Sequence, residues 1–457
     1  MSKSMFEKIW DRHEIVTLAG HNALIAIDRI FLHERTGAVA LNALAASGRK
    51  PVDPSRTFCV MDHIVDTRPG RDDTTLMPGG QAFITETRQA ALDAGIHLFD
   101  VNDANQGITH VISPELGIVL PGCTLIAPDS HTCTQGAFGA LAWGVGSSEV
   151  EHAMATGALR VARPKTMRVT FKGELGTGVG AKDMILALIA EHSASGGKGS
   201  VIEFCGRAVE ALGMEARMTL CNMATEFGAM TAIVAPDEKT FAYLAQRRFA
   251  PTGKAWDEAL TAWRAMRSDD DASFDAEICI DAGEISPMIS WGTSVDASVP
   301  ITGSVPDAAS DQMLNYMGLT RGQTLLGQHI DAAFIGSCTN ARLSDLRRAA
   351  NVLKGKHVAQ GLKAICVPGS SSVKRAAEAE GLDRIFLNAG FEWRESGCSM
   401  CFFAGGESFA EEARVVSSTN RNFRNRQGLS VKTHIASPEV VAASAIAGAI
   451  ADHREIV

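Results

Sequence analysis

Three cysteines stand where their thiolates could meet one metal centre. Cys398 and Cys401 form a C-x2-C in SGCSMC, and Cys338 follows the apolar run AAFIGS. A C-x2-C pair can close on one centre, and a third thiolate raises the possibilities beyond a simple pair. Spacing alone leaves three readings open: an iron-sulfur cluster on three thiolates, a structural zinc completed by a histidine, and a redox or inert pair. A cluster on three thiolates leaves one iron open, and such an iron can act as a Lewis acid on a hydroxyl and a carboxylate. Cys338 is expected at the C-terminal end of a strand with a helix soon after it. In open α/β sheets ligands collect in that crevice, and a helix N-terminus favours an anion.

Other groups suited to chemistry follow apolar runs in the same way. Asp62-His63 opens a turn after FCVM, and Asp129-Ser130-His131 follows LIAP. Taken singly, each is more often a capping or core polar group. The stretch STNRNFRNRQG offers Asn420, Arg421 and Arg426. It reads either as a solvated basic loop or as guanidinium forks for bidentate capture of a carboxylate.

The elements that must position these residues are legible as short runs. TFCVM (57–61), TLIAP (124–128), MRVTF (167–171), AAFIG (332–336) and AICVP (364–368) alternate with helical patterns. That alternation predicts βα units and mainly parallel sheets. Ser148 with Glu151 predicts a capping box for a helix carrying Val150, Met154 and Leu159. Two more helices are expected, from Arg342 to about Leu353 and from Val373 to about Glu380. The polar segment 269–304 reads as a linker, with a weaker boundary at Arg163-Pro164. GTGVGAKD and SGGKGS lack the spacing of phosphate-binding loops.

A length of 457 residues calls for about three domains. With 46% hydrophobic residues, 6% aromatic and 43 glycines, the composition is that of an α/β enzyme. A net charge of -9 leaves no basic face for nucleic acid. The N-terminus has no apolar core of a signal peptide, and the apolar stretch Val440 to Ala451 is too short to span a bilayer. A cytoplasmic protein without a membrane segment is therefore expected. Its ten cysteines are expected to be thiols or ligands rather than disulfides. Cys59, Cys123, Cys205, Cys221, Cys279 and Cys366 read as small core residues.

The words around these residues resemble the aconitase superfamily, most closely its two-chain isopropylmalate branch. They are IGSCTNARLSDLRRAA, GFEWRESGCSMC, PDSHTCTQGAFGALAWGVGSSEVEHAMAT and STNRNFRNRQG. MDHIVDT, GITH, IEFCG, MTLCNMATEFGA, APDE and SPMISWGT carry the resemblance across nearly the whole chain, in the family's order. It implies three α/β/α domains with mainly parallel sheets and a cluster at the interdomain cleft. The expected units are 1–165 with the Asp-His and Asp-Ser-His motifs, 166–285 with Glu203, and 286–457 with the cysteines and the arginine loop. One 4Fe-4S cluster per chain is implied, on Cys338, Cys398 and Cys401, with one iron lacking a protein ligand.

Dehydration of a 2-hydroxy diacid needs a proton donor for the hydroxyl, a base for the adjacent carbon and cations for the carboxylates. The resemblance implies paired groups for this work: Asp62 with His63, Asp129 with His110, and Glu203 with His131, His63 being the favoured acid. It implies substrate contacts from Ser130, Asn420, Arg421 and Arg426. Asn340 is expected to donate to the cluster or its sulfurs, or else to cap a helix. The implied activity is interconversion of 2-isopropylmalate and 3-isopropylmalate in leucine biosynthesis. A hydro-lyase for citramalate or 2,3-dimethylmalate is the alternative, and a cluster-sensing RNA binder a remote one. The chain stops where the family's third domain ends, so a separate small subunit, the swivelling domain, is expected to supply the carbon base. Arg424, Asn425 and the run Leu429 to Lys432 depart from the family's Phe-Glu-Gly-Arg and Gly-rich pattern, as does the stretch just after Cys401.

Overall fold

A computed structural model describes residues 2–401 and 405–456. Phe402 to Ala404, part of the departure after Cys401, lie outside the described residues. The first large sheet has five strands, in spatial order His97–Phe99, Thr57–Val60, Arg29–His33, Thr124–Ala127 and Leu141–Gly144. Every pairing in it is parallel. Thr57–Val60 and Thr124–Ala127 are buried at every position, as expected of strands covered on both faces. The chain adds strands outward from Arg29–His33 to one side, then returns to add Thr124–Ala127 on the other. The strand order thus reverses between Arg29–His33 and Thr124–Ala127, and a crevice opens beyond their C-terminal ends.

The same topology recurs near the C-terminus. A second five-stranded parallel sheet runs Glu392–Trp393, Lys363–Cys366, Ala332–Ile335, Arg414–Ser417 and Lys432–Ile435. Its order reverses between Ala332–Ile335 and Arg414–Ser417. Beyond those two strand ends lie Cys338 on one side and Asn420 and Arg421 on the other. Between the two five-stranded sheets in sequence is a four-stranded parallel sheet, Thr231–Ile233, Ser200–Cys205, Lys165–Lys172 and Ala276–Asp281. One buried cluster runs from Phe31, Phe58 and Leu125 into Phe171, Phe204 and Phe227, so the first five-stranded and the four-stranded sheets share a core. A second cluster, with Ile335, Leu346, Phe386 and Val441, packs the C-terminal sheet. The apolar helix Pro438–Ala447 belongs to that core, and no helix among the described residues is long and apolar enough to cross a membrane.

Four local expectations are corrected. The helix after Gly146 spans Ser147–Thr156, and its cap is Gly146, two residues earlier than Ser148: Glu149 Oε2 accepts the Gly146 N–H at 2.8 Å. That helix ends at Gly157, in the left-handed region at φ 72°, so Leu159 belongs to the strand Ala158–Ala162 instead. The segment 269–304 is no plain linker. Ala276–Asp281 is an edge strand of the four-stranded sheet, and Met288–Ser290 pairs with Ser298–Pro300 as a hairpin. Cys279, on that edge strand, is exposed rather than in the core.

Candidate functional site

The loop leaving strand Thr57–Val60 is shaped by a buried carboxylate. Glu34, one residue past strand Arg29–His33, accepts the N–H groups of Asp62 at 3.0 Å and Val65 at 3.3 Å, and that of Ile64. The loop so gathered presents Asp62 and His63. Asp62 Oδ1 lies 2.5 Å from His63 Nδ1, and its Oδ2 accepts the Thr109 N–H at 2.9 Å. His63 Nε2 reaches Asp129 Oδ2 at 3.0 Å. Burial works to lower the pKa of His63, yet the Asp62 and Asp129 carboxylates raise it well above the ordinary imidazole value. His33 stacks on it, ring centroids 4.1 Å apart, and lies 3.1 Å from the Pro128 carbonyl through Nε2. Burial and the neighbouring His63 push His33 down to about 4, so that ring is neutral.

Asp129 sits where strand Thr124–Ala127 ends, at the strand-order reversal. It faces three histidines: His63, His110 at 3.1 Å, and His131 at 3.6 Å. Burial would raise its pKa, but His110, His131 and His63 hold it well below the usual carboxylate range. It also caps the following turn by accepting the His131 N–H at 2.7 Å. The expected pairs Asp62 with His63 and Asp129 with His110 are in contact. The expected pair Glu203 with His131 is not. Glu203 lies on the inner strand Ser200–Cys205 and accepts from Ser268 Oγ at 2.6 Å, away from the site. His131 instead meets Glu226 at 3.0 Å, and Glu226 meets Arg421 Nε at 2.7 Å.

Glu226 and Asn222 are functional-site residues that sequence reasoning missed. Their spacing of four, in CNMATEF, is the available signal, since groups so spaced share one side of a helical turn. Asn222 donates from Nδ2 to Cys338 Sγ at 3.1 Å, and Asn420 donates to the same sulfur at 3.5 Å. Arg426 donates to Cys401 Sγ at 3.6 Å, and Ser337 Oγ lies 3.2 Å from that sulfur. Asn420 therefore lies under the cysteines. Asn340 does not reach a sulfur: it donates to Asp345 Oδ1 at 2.9 Å, and Asp345 accepts the Arg342 N–H at 3.1 Å to cap helix Leu343–Leu353. At that helix's start the Arg342 and Ser344 N–H groups are taken by Asp345 and Glu215, while Cys338 Sγ takes donors from the two asparagines and, at 3.9 Å, from Ser337 Oγ.

The two strand-order reversals meet at one cavity of about 440 Å³. Its walls include Cys338, Cys398 and Cys401, the imidazoles of His63, His110 and His131, the Asp129 carboxylate, Ser130, and the cations Arg421 and Arg426. His33, Arg35 and Phe423 complete much of the remainder. Ligand atoms of Asp62, His63 and Cys398 lie within 4.8 Å of one another, which sets the His63 ring beside the cysteines. Among the described residues, the groupings tight enough for a single ion are that one and His33, Glu34 and His63; the three cysteines do not form such a grouping. A lone zinc would draw its thiolates together at bond lengths of about 2.3 Å. The wider arrangement fits a multi-iron centre.

Burial pushes the Cys338 thiol up to about 12, the Cys401 charge adding to it, and burial raises Cys398 as well. Thiols raised in this way, Cys338 and Cys398, become thiolates on a strongly cationic centre, and the amide and guanidinium donors around the sulfurs suit an anionic state.

The departures beside the arginine loop turn away from the cavity. The Arg424 guanidinium stacks over Tyr316 at 5.3 Å and donates to the Gln312 carbonyl at 3.2 Å. Asn425 adopts φ 62°, the left-handed region that asparagine tolerates best after glycine. Arg421 and Arg426 stay in the cavity wall.

Residues 7–448 match the model of the Aconitase family (aconitate hydratase). Over 462 aligned residues, 99% of this chain and 96% of the relative, the sequence is 48% identical to 3-isopropylmalate dehydratase large subunit 1 of Bradyrhizobium diazoefficiens. Aconitase X of Thermococcus kodakaraensis, solved in its holo form, superposes with a TM-score of 0.49 at 15% identity, covering 92% of this chain and 90% of that one.

Proposed function

Since the chain belongs to the aconitase family, we propose that it is the large subunit of a hydro-lyase interconverting 2-isopropylmalate and 3-isopropylmalate in leucine biosynthesis. The observation that carries this reading is the single cavity in which three cysteines, a set of carboxylate-paired imidazoles and two arginines converge. The name of the 48% identical relative supplies the substrate.

In this reading Cys338, Cys398 and Cys401 hold a 4Fe-4S cluster, one per chain, with one iron lacking a protein ligand. When bound, the cluster supplies a Lewis acid that polarises the hydroxyl to be lost. His63 holds the proton for that hydroxyl on Nε2, the nitrogen facing Asp129, while Asp62 on Nδ1 keeps the ring charged. His110 and His131 share Asp129, which fixes the orientation of all three rings around one carboxylate. Arg421 and Arg426 take the substrate carboxylates as guanidinium forks, Arg421 being oriented by Glu226. Ser130 offers a hydroxyl at the cavity wall. The base for the carbon comes from a separate small subunit, a swivelling domain that closes the site; the words large subunit in the relative's name support such a partner. The units 1–165, 166–285 and 286–457 are part of the same reading, supported by parallel sheets drawn from residues 29–144, 165–281 and 332–435.

The test is kcat/KM of the reconstituted two-subunit complex on isopropylmalate, citramalate and 2,3-dimethylmalate. Isopropylmalate is expected to be preferred. Preference for either of the other acids overturns the substrate assignment.

A further inference from the structure

The acid His63 and the ligand Cys398 come from different sheets, so something must hold their loops in register. Part of the answer is backbone pairing. Cys398 donates its N–H to the Asp62 carbonyl at 2.8 Å, and Glu395 donates to the Thr67 carbonyl at 2.7 Å. At the centre of this seam lies Gln106, fully buried. Its Nε2 donates to the carbonyl of Met61, the residue before Asp62, at 2.6 Å. Its Oε1 accepts from the hydroxyl of Ser396, two residues before Cys398, at 2.6 Å, and from Arg71 Nη2 at 2.6 Å. Arg71 in turn donates to the Ser396 carbonyl through Nη1 and to the Val101 carbonyl at 2.8 Å.

The Gln106 backbone is pinned as firmly as its side chain. Ser371 donates its N–H to the Gln106 carbonyl, and Ile108 donates to the Gly369 carbonyl, both at 2.8 Å. Between them the chains approach so closely that a Cβ on Gly107 would lie 2.5 Å from Ser370 Cα. A side-chain amide has one donor end and one acceptor end; here the donor end reaches Met61 and, at 3.4 Å, the Ser396 carbonyl, while the acceptor end takes Ser396 and Arg71, so the amide bridges both loops. A buried network with its members satisfied is stiff and specifies one arrangement.

We infer that Gln106, with Arg71 and Ser396, is a positioning residue that sets the His63 loop against the Cys398 loop. None of the three lines the cavity, so each acts through the loops it holds. This inference rests on the hydro-lyase reading for its catalytic consequence, because displacing reacting groups by about 1 Å can cost on the order of 100-fold in rate.

Gln106→Met keeps the volume and removes both hydrogen-bonding ends. In the reconstituted complex it is expected to lower kcat by about 10- to 100-fold. KM should stay within about threefold of wild type, since Arg421 and Arg426 lie on another loop. Amide exchange of the intact complex, read by mass spectrometry over 61–67 and 395–401, should accelerate in both loops. Unchanged exchange in either loop, an unchanged kcat, or a loss confined to KM overturns the inference. Should Gln106→Met not fold, Ser396→Ala removes a single hydroxyl from the node; it is expected to lower kcat and accelerate exchange over 395–401, and wild-type behaviour overturns the inference equally. A wild-type complex without activity on isopropylmalate defeats the functional reading alone, and the exchange measurement still decides the clamp.

Discussion

Replacing Glu226 by glutamine removes a charge at nearly constant shape, and the two contacts of the carboxylate set the size of the effect. It lies 3.0 Å from His131 Nε2 and 2.7 Å from Arg421 Nε, with its side chain only 11% exposed. Burial would raise its pKa, yet His131 and Arg421 hold it below the ordinary carboxylate value, so the charged form is the one the site uses. A hydrogen bond to a charged group contributes about 1.5–3 kcal/mol, against about 1 kcal/mol for a neutral one. The amide of Glu226→Gln keeps an acceptor for one partner, so the expected loss is about 2–4 kcal/mol. At about 1.36 kcal/mol per decade, kcat/KM should fall roughly 30- to 1,000-fold. The assay is steady-state dehydration of isopropylmalate by the two-subunit complex, followed by the ultraviolet absorbance of the unsaturated product. Glu203→Gln is the matched control; its carboxylate meets Ser268 and should leave kcat/KM within about twofold of wild type. The reasoning is refuted if Glu226→Gln stays within about threefold of wild type, or if Glu203→Gln loses as much.

Three further expectations follow from individual contacts. Cys338→Ser should strip most of the iron and the visible iron-sulfur absorbance from the anaerobically reconstituted chain, while Cys279→Ser, on an exposed strand edge, should keep both; intact absorbance in Cys338→Ser would sink the ligand assignment. His13 lies 2.8 Å from Asp28. Burial opposes it, but Asp28 and the Ile9 carbonyl raise His13 above its ordinary 6.5, while Asp28 is held below 3.8, against its burial, by His13 and the Thr124 N–H. Stability from Asp28 is lost as pH falls through its lowered pKa, and that from His13 is lost as pH rises through its raised one. His13→Ala should therefore depress Tm most between pH 3.8 and 6.5 and much less near pH 9, with roughly 1 kcal/mol at stake; a depression that does not vary with pH would contradict the pair. A Cβ on Gly136 would lie 1.7 Å from the Ala232 carbonyl oxygen, so Gly136→Ala must displace backbone in the turn that presents His131. A loss of about 3 kcal/mol or more is expected in denaturant titration, and a near-neutral result would show that the strand Thr231–Ile233 gives way freely.

Much of this protein is local and therefore readable. The strands at 57–60, 124–127, 332–335 and 363–366 announce themselves because both faces of a parallel sheet are covered, which forces short apolar runs. Residues that follow such a run fall at strand ends, and so Asp62, His63, Asp129, His131 and Cys338 are placeable from the sequence. The resemblance to the aconitase superfamily tied them to one chemistry. Side-chain partnerships were less legible. Asn340 was open between a sulfur and a helix cap, and the capping carboxylate Asp345 took it. Ser148 carried the right letters for a cap, while the helix began at Ser147 with Glu149 closing the turn.

Residue order alone determined the chemical inventory: three cysteines, a set of carboxylates and imidazoles, and the arginines in one loop. Tertiary structure decided who meets whom. His131 chose Glu226 over Glu203 across 95 residues, and Cys338 found Asn222 across 116. Hydrophobic periodicity records which face of an element is buried, and it carries no information on where a polar group at the end of that element points. That choice is made when two sheets of the same topology turn their strand-order reversals toward one cavity, and when a single buried amide, Gln106, satisfies both of its ends on the two loops that line it.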